Sequence, residues 1–439
     1  MRYCPCRDHD SSSGGPLSRS PFVLASTAVC LRPGSKQIRT SVRRHACKNF
    51  WHNVVTTMGF ETSGSPPRHF DRIPGHDRTL EKGVTRLTHV LDEYFRHRAA
   101  QDLFSGAVLI TQGATRLFAR AYGYASRAWR VPNTLDTRFD TASVTKLFTA
   151  IATLQLIDRG LLAFDTPVVE RLGLEGTALS KEINVLHLLT HTSGIGDDAD
   201  EEAGERYEDV WKTKANYSVV ETSDFLPQFV NKPANFPPGE GCRYCNCGYV
   251  LLGLLIEGIS GMTYRDYVRT HVFAEAGMTA SDFFRMDRVN HNVAEGCDQT
   301  RDATGTIVGW KKNIYSFPPI GSPDAGAYVT VTDLDRFLRA VIAGRLLSPE
   351  LTSAFLSPQV VHRTRDTWTE MYGYGLWFYV DQASKVVCFE KEGVNVGVSA
   401  LIRHFPDQDI AVTLLSNMED GVWDPVWKIH EMVIEGQMT

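Results

Sequence analysis

The 439-residue chain predicts an α/β fold of the α+β type: one antiparallel sheet assembled from segments distant in sequence, flanked by helices, with a mostly helical lobe inserted between its two halves. Three observations predict this. Apolar runs of strand length, bounded by turn residues, stand near residue 110 and again beyond residue 386. Between them, residues 161–319 carry helical spacing interrupted by long polar stretches. Amphipathic helical patterns open and close the arrangement. At 43% hydrophobic and 22% charged residues, the chain can bury one large core or two lobes.

In chain order, residues 1–75 stand apart. They hold Cys4, Cys6, Cys30 and Cys47, many Arg and Ser, and no sustained periodicity, so we expect a disordered tail or a non-native extension, with Met58 as an alternative start. Residues 22–31 are apolar but far short of the roughly 20 residues a membrane span needs, and no later stretch qualifies. The folded domain is expected over 76–439, with its sheet lobe formed by 76–160 and 320–439. Val84, Leu87, Val90, Leu91, Tyr94 and Phe95 mark a first helix. Residues 107–111 and 117–122 read as a hairpin closed at Gln112-Gly113. A helix is expected to open near Asp140-Thr141, run through Leu147, Ile151, Leu154 and Ile157, and stop at Gly160. Residues 386–389, 398–405 and 410–416 read as strands, the last two joined by Pro406-Asp407-Gln408-Asp409. A final helix follows Pro425, with Val426, Ile429, Met432 and Val433 on one face.

Ser143-Val144-Thr145-Lys146 is the segment with the clearest chemistry. Residues three apart on a helix share a face, so the Ser143 hydroxyl and Lys146 amine confront each other. A serine is a weak nucleophile until a neighbouring base takes its proton, and a desolvated lysine can serve as that base. Downstream come Tyr244-Cys245-Asn246 and Lys391-Glu392-Gly393. This ordered set resembles the serine β-lactamase and penicillin-binding protein superfamily, in its class C β-lactamase, DD-peptidase and esterase branch. The connecting phrases agree: residues 136–140, Leu188-Leu189-Thr190-His191-Thr192-Ser193-Gly194, residues 249–253 and Gly326-Ala327-Tyr328. The likeness spans about residues 80–437 and implies a β-lactamase/transpeptidase-like fold with the active site between lobes.

The resemblance implies a catalytic set of Ser143, Lys146 and Tyr244. Ser143 would form an acyl-enzyme, while Lys146 and Tyr244 share proton traffic, the Tyr244 anion being favoured by neighbouring ammonium groups. Asn246, Lys391, Gly393 and Val394 are the expected substrate-binding residues. Asn246 would bond a substrate carbonyl and hold Lys146, Lys391 would supply positive field, and the N–H groups of Ser143 and Val394 would form the oxyanion hole. Two departures bear on substrate. Glu392 stands where β-lactamases place Thr or Ser, and bulky Val394 follows the glycine; a carboxylate there would repel a β-lactam carboxylate. The expected activity is therefore a carboxylesterase-like serine hydrolysis of a small ester or amide. The alternatives are a DD-peptidase or class C-type β-lactamase acting on β-lactam-type substrates, and a non-catalytic binding protein with this fold.

The remaining features exclude more than they propose. A net charge of -5 gives no basic bias for nucleic acid. The acidic run from Asp197 to Asp209 reads as a solvated loop, with a negative rim on the cleft as the sharper alternative. Cys242, Cys245 and Cys247 lack a fourth metal ligand and read as small buried thiols, so no metal and no organic cofactor is expected. Nine cysteines, crowded and odd in number, point to a reducing, cytoplasmic setting, with secretion as the alternative. His191 belongs to a turn phrase and is not the expected base.

Overall fold

The computed structural model describes the backbone of residues 78–438 and side chains from residue 87 onward; the expected tail over 1–75, with its four cysteines and Met58, lies outside the described residues. Gln112-Gly113 and the 406–409 segment close hairpins as their turn chemistry demands. Gly113 takes φ +53° and donates to Asp409 O at 2.9 Å, so the two turns are also tied to each other.

Eight strands form one sheet: β1 (Gly106–Gln112), β2 (Thr115–Tyr122), β3 (Val360–Thr364), β4 (Thr369–Tyr372), β5 (Trp377–Val380), β6 (Val386–Asn395), β7 (Val398–Phe405) and β8 (Ile410–Ser416). Their order is β2-β1-β8-β7-β6-β5-β4-β3, and every pairing is antiparallel. The N-terminal hairpin thus docks beside the C-terminal strands, as expected from apolar runs at both ends of the chain. β7 and β8 are buried along their whole length, because helices cover both faces of the sheet.

On one face Val108, Ile110, Leu401, Val412 and Leu414 pack against α1 (Arg78–Ala100), through Leu91 and Phe95, and against the C-terminal helix Trp423–Ile434, through Ile429 and Val433. Val90, read as part of the apolar stripe, instead faces solvent. The opposite face carries Ala107, Leu109, Ala400 and Ile402 beneath the helix Val331–Ile342, in one core with α2 (Thr145–Asp158) and α3 (Asn246–Ser260). Twelve of the fourteen residues of α2 are buried, which no amphipathic surface helix could tolerate. Each large apolar side chain so enclosed contributes about 1.5–3 kcal/mol relative to exposure.

Three parts of the sequence reading change. β3, β4 and β5 were not anticipated; they are four or five residues long and separated by polar turns, so no sustained alternation announces them. The 161–319 segment is less helical than its spacing suggests, being largely loops with single turns such as Val168–Arg171 and Val185–Leu189, and it includes a hairpin of Cys297–Arg301 with Ile307–Lys312. The helix expected from Asp140-Thr141 begins with a 3-10 turn, Ala142–Val144, and becomes α-helical only at Thr145. Among the described residues, no single helix is long and apolar enough to cross a membrane.

Candidate active site

Ser143 lies in that 3-10 turn, which is held in an unusual conformation. Ala142 has φ +42°, a left-handed backbone that costs a non-glycine residue about 1–2 kcal/mol. The surroundings fix it: Asp140 Oδ1 accepts the Ala142 N–H at 2.7 Å, Thr141 N and Oγ1 both donate to Ala327 O at 2.9 and 2.8 Å, and Ala327 N donates to Thr145 Oγ1 at 3.0 Å. The Gly326-Ala327 turn is therefore the clamp on the serine turn. Gly393 of β6 presses on it from the sheet. A methyl group added at Gly393 would stand 2.1 Å from Thr141 O and 2.8 Å from Ser143 N. Gly393→Ala is expected to push the serine turn away from β6 and lower turnover about 10²-fold, the scale of a 1 Å misplacement. Equal kcat/KM for variant and wild type on one ester would show that this backbone contact does not position Ser143.

Lys146, one turn on, is completely buried. Its Nζ donates to Ser143 Oγ at 3.2 Å, to Asn246 Oδ1 at 2.7 Å and to the Asp324 carbonyl at 2.9 Å. Burial lowers its pKa, against opposing attraction from Asp324 and Glu201. The result is an amine aimed at a half-buried serine hydroxyl, with its charged form disfavoured by burial. The Asp324 carbonyl is a ligand of Lys146 that sequence reasoning did not find; the Gly-rich phrase just beyond it was the available signal.

Tyr244 and Asn246 are positioned by the acidic segment that was read as a solvated loop or a cleft rim. Asp197 and Asp198 are buried. The Asp197 carboxylate caps α3, accepting from Asn246 N and Cys247 N at 2.9 Å each, where the helix's positive end favours an anion. Asp200 forms a forked pair with Arg243, both carboxylate oxygens lying 2.6 Å from Nη2, and Glu202 accepts the Tyr244 N–H at 2.9 Å. The reading failed because it counted charges and not the orphan N–H groups they satisfy. His191 completes the support: its Nδ1 accepts from Cys245 N at 3.2 Å, and its ring packs 4.7 Å from that of Tyr244. Burial, then the charges of Lys391 and Lys146, hold His191 well below its ordinary pKa, so it packs as a neutral ring.

Of the three cysteines around Tyr244, Cys245 and Cys247 are buried and Cys242 is partly exposed. Cys245 Sγ accepts from Gly248 N at 3.4 Å as the cap of α3, and Cys247 Sγ accepts from Asp198 N at 3.3 Å. Ligand atoms of Asp197, Asp198 and Cys247 lie within 4.8 Å of one another, but the Asp197 oxygens are already committed to the α3 backbone.

The Tyr244 ring sits between two lysines, with Lys146 Nζ 4.8 Å and Lys391 Nζ 4.6 Å from its centroid. Despite them, the phenol is driven well above its ordinary pKa, by burial first and then by Glu201, with the Ser143 hydroxyl opposing. Its Oη makes no hydrogen bond of good geometry to any described group. Burial thus works against the Tyr244 anion that the neighbouring lysines were expected to favour. Lys391 is buried, and burial together with Lys146 lowers it to about 7.

Glu392 also departs from expectation. From Phe389 to Asn395, β6 pairs with β7 without a register break, so side chains alternate. Lys391 and Gly393 share the face that meets Tyr244 and the serine turn, and Glu392 falls on the other face with Glu390, which is paired to buried Arg403 at 2.6 Å. Burial and the Glu390 charge raise the half-buried Glu392 to about 7. Its charge is thus not directed into the cleft. Val394, one residue on, is half-buried and pairs with Ser399 of β7.

With the geometry of Ser143, Lys146, Tyr244 and Asn246 in place, the chain itself matches the family model Beta-lactamase over residues 91–428. The chain belongs to the beta-lactamase family. Within it, the chain is 27% identical over 357 residues to a penicillin-binding protein of Bacillus subtilis (strain 168), covering 79% of this chain and 76% of that one. Esterase EstB of Burkholderia gladioli is 32% identical over 209 residues, 46% of this chain and 51% of the esterase. A penicillin binding protein from Bacillus halodurans superposes with a TM-score of 0.70 at 37% identity, over 76% of this chain and 99% of its own. This beta-lactamase family member is accordingly a serine hydrolase, with the β-lactamase/transpeptidase-like fold.

Proposed function

We propose that the protein is a carboxylesterase-like hydrolase that forms an acyl-enzyme on Ser143. In this reading, neutral Lys146 removes the Ser143 proton as the hydroxyl attacks a carbonyl, and Tyr244 passes that proton to the leaving alcohol or amine. The Ser143 and Val394 N–H groups receive the oxyanion, and Asn246 orients the substrate carbonyl. A second proton relay then releases the acyl group to water.

The observation that carries the ester preference is the state of Lys391. A β-lactam or peptide carboxylate needs a fixed cation, yet Lys391 is buried and lowered to about 7 by that burial and by Lys146. Burial disfavours the charged form of both lysines, which weakens the site's hold on an anion. An uncharged or cationic substrate loses nothing by this. The esterase among the relatives supports the same reading, while the penicillin-binding proteins, which match over more of their length, keep β-lactam acylation as the competing one.

Turnover of p-nitrophenyl butyrate and of benzylpenicillin by the same preparation separates the two. At pH 7.5 we expect kcat/KM for the ester to exceed that for the penicillin by 10²-fold or more. Faster acylation by penicillin than by the ester would reverse the assignment in favour of a penicillin-recognising enzyme.

A further inference from the structure

Asp140 is a buried carboxylate without a cation. It is 7% exposed, and its Oδ1 is engaged by the Ala142 N–H at 2.7 Å. No Lys, Arg or His among the described residues pairs with it, and burial, opposed by that one N–H, holds it up at about 7. Leaving a charge unpaired in apolar surroundings is costly, so an incoming cation would be favoured there. The clamp on Ala142 needs only one of the two oxygens.

Asp140 lines a hollow together with Phe284, Phe317, Pro318, Tyr328 and Asn395. The space open to the centre of a water-sized group is about 20 Å³, room for one such group, which needs roughly 10–15 Å³. Three of its lining residues are tied to the serine turn. Asp140 precedes Ser143 by three residues, so their Cα atoms are at most about 11 Å apart. Asn395 lies two residues past Gly393, the residue pressed against Ser143 N, and Gly326, which also lines the hollow, donates to Ala142 O at 3.3 Å.

We propose that this hollow is a subsite for a primary ammonium carried by the acyl part of the substrate, with Asp140 as its counter-charge and specificity-determining residue. An ammonium has the size of the space, brings the missing cation, and meets a carboxylate in apolar walls where their attraction is little screened. Tyr328 and Asn395 of the lining carry oxygens able to accept further hydrogen bonds. The preferred substrates are then esters or amides of short amino acids, in keeping with a cleft that offers little hold on an anion. This inference rests on the acyl-enzyme reading above and deepens it.

The test compares methyl esters in a pH-stat: glycine, β-alanine and 4-aminobutyrate esters against propionate, butyrate and pentanoate esters, in which a methyl group replaces the ammonium. At least one amino ester is expected to show a kcat/KM tenfold or more above its methyl-terminated partner. In Asp140→Asn, which keeps an acceptor for Ala142 N–H, that ratio is expected to fall at least tenfold, chiefly through KM. Wild-type ratios at or below one at all three lengths overturn the subsite without recourse to the variant, as does a ratio that Asp140→Asn leaves unchanged. Fluorophosphonate labelling of Ser143, run in parallel, separates the two failures: a labelled enzyme with no amino preference loses only the subsite, whereas an enzyme not labelled at Ser143 loses the acyl-enzyme reading and the subsite with it.

Discussion

Ser143→Ala is expected to lower ester turnover by roughly 10⁵-fold, the scale seen when a serine nucleophile is removed. The expectation follows from what surrounds the hydroxyl. Oγ is half-buried, accepts from Lys146 at 3.2 Å, and sits at a turn held rigid by Asp140, Ala327 and Gly393. No other serine or threonine is in hydrogen-bond contact with Lys146 among the described residues. The fold should survive, because Lys146 keeps Asn246 and Asp324 as partners and the turn's clamps are backbone groups or other side chains. The melting temperature should therefore change little. Residual turnover above about one part in 10³ of wild type, with the protein folded, would place the nucleophile elsewhere.

Loss of Lys146 and of the Tyr244 hydroxyl should each slow turnover by about 10²–10⁴-fold, the usual range for a proton-transfer group. The double variant should cost far less than the product of the single losses, because the two groups move one proton. Tyr244→Phe is the cleaner probe: Oη makes no completed hydrogen bond, so its removal should leave stability almost unchanged. Lys146→Met fills the same space but strands Asn246 Oδ1 and the Asp324 carbonyl, about 1–3 kcal/mol each. A measured loss of stability is thus expected for Lys146→Met and not for Tyr244→Phe. The pH dependence has a fixed sign. Burial depresses both lysines, Lys391 to about 7, and the active base is the deprotonated amine. The rate on a neutral ester should rise with pH through the titration of the pair. Repulsion between two ammoniums is mutual, so Lys391→Ala should raise the pKa of Lys146 and move that rise to higher pH. A rise that stays in place, or multiplicative losses in the double variant, would contradict a coupled proton-transfer unit.

Much of the sheet was legible because its signals are local. Gly113 and the 406–409 turn mark hairpins, and β7 and β8 are long enough to show their apolar character. β3 to β5 were hidden because strands of four or five residues separated by turns carry no period to detect. The order of Ser143, Tyr244 and Lys391 pointed to one site only as a set, through its resemblance to a known family, since each short phrase alone is a common pattern. What holds them in place was not legible. Asp197 satisfies N–H groups 49 and 50 residues away, Glu202 and His191 support the Tyr244 segment from different turns, and the Asp324 carbonyl reaches Lys146 across 178 residues. Such partners are set by tertiary approach, which residue type does not encode. Glu392 shows the same limit at one-residue scale. Its charge was evident, but its facing depended on the β6–β7 register, and that register turns it away from Tyr244.

The central claim, an acyl-enzyme on Ser143, is tested most directly by mapping the adduct of a fluorophosphonate. Intact mass after incubation should increase by one phosphonyl group, and fragmentation of the 143–146 peptide should place it on Ser143, with no adduct in Ser143→Ala. An adduct on any other residue, or equal labelling of the Ser143→Ala protein, would contradict the account.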